Sequence, residues 1–94
     1  MKLAWSKRAF RRLASIHDWI AKDSPEAAIR VAEILIQSAS RLERFPLIGR
    51  TGRISGTREP VISGLPYVNP YRVVDKTVQI LSVIHTSRRW PEQL

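Results

Sequence analysis

Ile20-Ala21-Lys22-Asp23-Ser24-Pro25-Glu26-Ala27-Ala28 is the stretch on which the fold turns. Its centre stops one helix and starts another. Pro25 suits the first position of a helix, where its missing N–H would have had no partner. Ser24 supplies a capping hydroxyl, and Glu26 complements the positive end of the helix dipole. Upstream, Phe10, Leu13, Ile16, His17 and Ile20 recur at three- and four-residue spacing, which predicts a helix from Lys7 to Lys22 capped by Ser6. His17 lies on that apolar stripe and is expected to pack in the core; Trp5 and Trp19 are expected in the core or at its margin. Downstream, Ala28, Val31, Leu35, Ser38, Leu42 and Phe45 hold one face as far as Arg44. Two amphipathic helices joined by so short a turn form an antiparallel hairpin.

Working outward, Lys2-Leu3-Ala4-Trp5 alternates as a short strand does. Pro46, Gly49, Gly52 and Gly56 make residues 46–56 a loop. Three segments rich in Val, Ile and Tyr follow: Thr57–Ser63, Tyr67–Val74 and Thr77–His85. Asp75-Lys76 between the last two is hairpin length, and Pro70 predicts a bulge or an irregular start in the middle one. Val78, Ile80, Leu81, Val83 and Ile84 are apolar on both faces, so the last strand is expected to be central. The fold class is therefore α+β: an N-terminal strand, a two-helix hairpin and a three-stranded antiparallel meander (β-α-α-β-β-β), one domain over residues 1–94.

The 94 residues carry 16 Lys and Arg against 8 Asp and Glu, a net charge of +8. Nine of the basic and five of the acidic residues precede Pro46, so both halves are equally positive and the charge belongs to the folded domain. Such a domain attracts polyanions and acidic protein surfaces. With no cysteine, disulfide scaffolds, thiolate zinc sites and cysteine nucleophiles are excluded. No stretch approaches the ~20 apolar residues of a membrane span. Charges occupy the start where a signal peptide is apolar, which predicts a cytoplasmic protein with no membrane association.

Chemistry is sparsely encoded. There is no phosphate-binding glycine loop, no nucleophile elbow, and neither His17 nor His85 has a second ligand at metal spacing, so no metal, cofactor or small-molecule substrate is expected. What remains is a set of cations around the strand half: Arg50, Arg53, Arg58, Arg72, Arg88 and Arg89, with His85 at the end of the last strand. Arginines donate paired hydrogen bonds to phosphate, and histidine transfers protons near neutrality. Together they suit metal-free cleavage of RNA. Equally, they are ordinary surface arginines and a strand-terminal histidine. The run Lys7-Arg8-Arg11-Arg12 reads as a solvated helix face, and Trp90 as a ring folded back over the sheet.

This order of elements resembles the RelE/ParE toxins of type II toxin–antitoxin systems. The resemblance is carried by Phe45-Pro46-Leu47-Ile48-Gly49-Arg50, Gly56-Thr57-Arg58-Glu59, Leu65-Pro66-Tyr67 and Tyr71-Arg72-Val73, then by Ile80-Leu81-Ser82-Val83-Ile84-His85 leading into Arg88-Arg89-Trp90-Pro91. It spans Leu3 to Pro91 and is closer to ParE than to RelE. RelE-like nucleases tend to carry an arginine where Val68 stands and a lysine-rich approach to the site, whereas residues 46–74 contain no lysine. The resemblance implies a toxin neutralised by an antitoxin that wraps it, with DNA gyrase as the ParE-like target and no catalytic residues. The RelE-like alternative is a ribosome-dependent mRNA endonuclease using Arg58, Arg72, His85 and Arg88. A non-toxic basic nucleic-acid-binding module is a third reading, lacking a recognition helix or stacking platform.

Overall fold

The computed structural model describes residues 1–87. Strand β1 (Lys2–Trp5) leads into α1 (Lys7–Ala21) and α2 (Pro25–Ser40), followed by a single 3₁₀ turn over Arg41–Glu43. Then come β2 (Arg50–Thr51), β3 (Arg58–Glu59), β4 (Tyr67–Val68), β5 (Tyr71–Val74), β6 (Thr77–Ile80) and β7 (Ile84–His85). The fold is α+β, with the helix hairpin and the antiparallel β3-β5-β6 meander that the residue pattern predicts.

Both helix starts are capped as expected. Ser24 Oγ accepts from the Ala27 amide at 3.2 Å. Ser6 Oγ accepts from the Ala9 amide at 3.0 Å and donates to the Leu81 carbonyl, also at 3.0 Å. One hydroxyl thus caps α1 and ties it to the chain just beyond β6.

The five-stranded sheet has the order β1-β6-β5-β3-β2. β1 pairs in parallel with β6, with Leu3 opposite Val78 and Trp5 opposite Ile80. This places β6 between β1 and β5, so the apolar last strand is central. One face of the sheet meets the helices: Tyr71, Val78 and Ile80 pack with Ala9, Ala39 and Leu42, and Leu3, Trp5 and Val73 close the margin. Leu42, in the 3₁₀ turn, is fully buried, so the helical face reaches the core even though the regular helix ends at Ser40.

The strands are shorter than their sequence segments. Pro60 ends β3 after two residues, because it offers no N–H to a ladder. Asn69-Pro70 divides the middle segment into β4 and β5, and residues 81–83 interrupt the last one before β7. β4 and β7 pair as a separate two-stranded sheet. The loop over residues 46–56 contains the short strand β2. Buried Asn69 fixes the β4–β5 bend to the helices, since its Nδ2 donates to the Leu35 carbonyl at 3.0 Å.

Four side chains depart from their expected places. Phe10, the first residue of the predicted apolar stripe of α1, is 64% exposed. Trp19 is 69% exposed, neither core nor margin, and its ring lies under the Lys22 ammonium at 5.2 Å. His17 is half-exposed and holds Asp18 through Nδ1 at 3.1 Å, so it is not a packed core histidine. Phe45 is exposed because the chain leaves the helical path at Arg44. Trp90 lies outside the described residues.

The β5–β6 hairpin turns on Asp75 and Lys76, both with positive φ (50° and 59°). Two successive left-handed residues make the turn whose twist matches the strands. Non-glycine residues are strained there by about 1–2 kcal/mol each. Lys76→Gly should therefore raise stability by about 0.5–1 kcal/mol, after allowing for glycine's larger unfolded-state entropy. Thermal unfolding checks this: a gain of up to ~8 °C is expected, and an unchanged or lower melting temperature contradicts it.

Candidate functional site

Sheet geometry decides which of the candidate residues can work together. Side chains paired directly across a sheet share a face, and consecutive residues alternate. Arg58 pairs with Tyr71, so it lies on the helix side. Arg72, the next residue along β5, lies on the opposite face, paired with Gln79. Two of the predicted cations are thus separated by the thickness of the sheet.

Arg58 holds backbone. Its Nη1 donates to the Gly49 carbonyl at 2.9 Å and to the Leu47 carbonyl at 3.4 Å. The Tyr71 hydroxyl reaches the same loop, donating to the Pro46 carbonyl at 2.7 Å and accepting from the Gly49 amide at 3.0 Å. Gly49 admits the phenol: a Cβ there would lie 2.6 Å from Tyr71 Oη. Burial pushes the Tyr71 hydroxyl above its ordinary value near 10, only partly opposed by the Gly49 amide and the Arg58 charge.

On the open face, Arg72 Nε donates to Gln79 Oε1 at 2.8 Å. Glu59 and Arg50 share that face as a direct cross-strand pair. Glu59 is only 1% exposed, and its carboxylate is held by the Arg53 amide at 2.8 Å and faced by Arg50 Nη2 at 3.5 Å. An acid this buried requires such partners, and here they tie the loop between β2 and β3 to the sheet.

His85 belongs to the small β4–β7 sheet. Its ring meets Tyr67 edge to face, with centroids 5.3 Å apart. The Ser87 amide donates to His85 Nδ1 at 3.1 Å, and Ser87 Oγ lies 2.7 Å from the same nitrogen. A nitrogen that accepts from a backbone N–H carries no proton, so the neutral ring is assigned its proton on Nε2. The lone pair a general base would use is therefore occupied by Ser87. Arg53 reaches this end of the molecule, with Nη1 3.3 Å from the Thr86 carbonyl.

Of the four residues singled out for catalysis, Arg58, Arg72 and His85 thus have separate partners on separate parts of the fold. Arg88 lies outside the described residues, as does Arg89. Among the described residues no three His, Asp or Glu side chains are grouped to hold a metal ion. Sequence reading passed over Tyr71 and Glu59, whose importance rests on burial; the motif containing Gly49 and Arg50 was the available signal for the loop that Tyr71 holds.

Tyr71→Phe removes both loop hydrogen bonds and leaves the Gly49 amide and Pro46 carbonyl without that partner. It should destabilise the fold by about 1–3 kcal/mol. A hydroxyl pKa raised in the folded state means that the unfolded chain loses its proton first. Stability should therefore be unaffected by this group below pH 10 and should fall as pH rises beyond it. Denaturant unfolding from pH 8 to 11 checks both points. The decline above pH 10 should be steeper for the native chain than for Tyr71→Phe, and parallel curves would contradict the assignment.

The chain matches, over residues 3–90, the family described as the ParE toxin of type II toxin–antitoxin systems, parDE. A protein of Sinorhizobium fredii (strain NBRC 101917 / NGR234) named "Putative toxin Y4kP" is 42% identical over 93 residues, covering 99% of this chain and 96% of that one. Toxin RelE2 of Caulobacter vibrioides (strain ATCC 19089 / CIP 103742 / CB 15) is 34% identical over 87 residues, covering 93% of this chain and 97% of its own. A solved structure described as a chromosomal ParDE TA system from P. aeruginosa superposes with a TM-score of 0.82 at 26% identity, over 93% of this chain and 97% of the other. With its sheet order, its capped helix hairpin and a family match over nearly its whole length, the chain belongs to the ParE toxin family of type II toxin–antitoxin systems.

Proposed function

We propose that this protein is a ParE-like toxin that arrests growth by binding DNA gyrase in the cytoplasm and is neutralised by a cognate antitoxin. The reading rests on one observation above the rest. Arg58 and Arg72 point to opposite faces of the sheet, and the Arg58 guanidinium is engaged with the loop carbonyls at Leu47 and Gly49. A phosphoryl-transfer site needs its cations to converge on one phosphate. A basic domain whose arginines brace its own loops is better suited to docking on a large acidic partner. The antitoxin half of the proposal draws on the family and on the ParDE description of the structural neighbour.

A second reading is favoured by the 34% identity to a protein named RelE2. In it the chain is a ribosome-dependent mRNA endonuclease with Arg58, Arg72, His85 and Arg88 at the site. Cleavage there would require His85 to exchange its Ser87 contacts for a substrate hydroxyl.

Primer extension on an mRNA under translation in a purified system separates the two. Intact mRNA from a preparation that still arrests growth in cells is expected. Ribosome-dependent cuts within codons would overturn the gyrase reading.

A further inference from the structure

The outer face of α1 carries Lys7, Arg8, Arg11 and Arg12, all exposed. By helix geometry the four fall within about 140° of the circumference, turned away from buried Ala9. None of their side chains makes an ion pair or a hydrogen bond among the described residues. Asp18, the one acid of α1, stands more than a turn beyond Arg12 and is held by His17. This placement works against the helix. Lys7 and Arg8 occupy its first turn, which contains no acid, at the end of the dipole where cations are unfavourable. Lys7 with Arg11, and Arg8 with Arg12, are like charges four residues apart, which repel each other. By contrast, α2 carries Glu26 in its first turn. A local choice that weakens the fold, and that no contact within it compensates, points to a partner.

The chemistry of the face selects that partner. From Lys7 to Arg12 the helix axis advances about 7.5 Å. Duplex DNA carries one negative charge per ~1.7 Å of its own axis, or roughly four phosphates over the same length. Four cations at that density match a phosphate backbone. A membrane surface does not fit, because an interfacial helix needs a free apolar side, and that of α1 is turned to the core through Ala9. The exposed rings Phe10 and Trp19 lie about two and a half turns apart and so project on opposite sides of the helix. Single-stranded bases do not fit either, since they need a stacking platform and the Trp19 ring lies under the Lys22 ammonium. Of the two duplexes, the wide major groove of B-form DNA admits a helix between its phosphate rows, whereas the deep, narrow groove of A-form RNA does not. We infer that the outer face of α1 is a docking surface for the phosphate backbone of duplex DNA, bound by charge and not by base sequence. The inference goes beyond the gyrase reading; on that reading, the face concentrates the toxin on the duplex its target handles.

The test follows the fluorescence anisotropy of a short labelled DNA duplex of arbitrary sequence as the purified full chain is added, at rising salt. The native chain is compared with Lys7→Gln/Arg8→Gln/Arg11→Gln/Arg12→Gln. A control variant removes the same charge from exposed positions elsewhere, Arg30→Gln/Arg41→Gln/Arg44→Gln/Lys76→Gln. The native chain should bind, with affinity falling steeply as salt rises. The α1 variant should bind at least ~tenfold more weakly at low salt, and its plot of log affinity against log salt should be shallower by about 3–4. The control should stay within about threefold of native, because charges away from the contact act only through screened solvent. Glutamine keeps the helix and relieves its repulsion, so the α1 variant should melt at or above the native temperature; a lower value contradicts the charge argument. Absence of DNA binding by the native chain, or equal losses in the two variants, would overturn the inference. Tighter binding of a duplex RNA of the same sequence would overturn it too, by assigning the face to RNA. The assay contains no gyrase, so a failure here leaves the gyrase reading standing, and a failure of that reading leaves this result unchanged.

Discussion

The hydroxyl of Tyr71 holds together the two halves of this molecule. It sits on β5, inside the layer between sheet and helices, and bonds both ends of the turn that follows the helices. A buried phenol is stable only with its hydrogen bonds made, so the loop must come to it. That requirement explains why position 49 is glycine and why Arg58 reaches toward the same carbonyls. The backbone of the turn is consequently tied to the core, while the side chains of Phe45, Leu47 and Ile48 stay exposed.

The same register that aims Arg58 at the turn aims Arg72 away from it. On the open face, Arg72 meets Gln79, and Arg50 meets a buried carboxylate that also holds a backbone amide. His85 is engaged in a second, smaller sheet. Among the described residues the sheet's arginines are therefore divided between its two faces, Arg58 on one and Arg50 and Arg72 on the other.

Much of this architecture was legible in the residues. Ser6 and Ser24 cap the helices that their neighbours predict, and Asp75-Lys76 closes the hairpin that its spacing predicts. Those signals are local, arising from a backbone group and a side chain within a few positions. What escaped sequence reading depends on distant pairing. The parallel contact of β1 with β6 joins segments some 75 residues apart, and no local pattern specifies parallel over antiparallel. The prolines at 60 and 70 were visible, but how far each shortens its strand depends on the neighbouring ladder. Trp19 and Phe45 were misplaced because an apolar residue at helical spacing faces the core only while there is core to meet. The candidate site was the least legible part: residue types name Arg58 and Arg72, and only the sheet register shows that they lie on opposite faces.

The most direct measurement of the central claim is DNA supercoiling by purified gyrase in the presence of this protein. Supercoiling is expected to be inhibited at stoichiometric toxin and restored when the operon's antitoxin is added. Full supercoiling activity with toxin in excess, from a preparation that arrests growth, would contradict it.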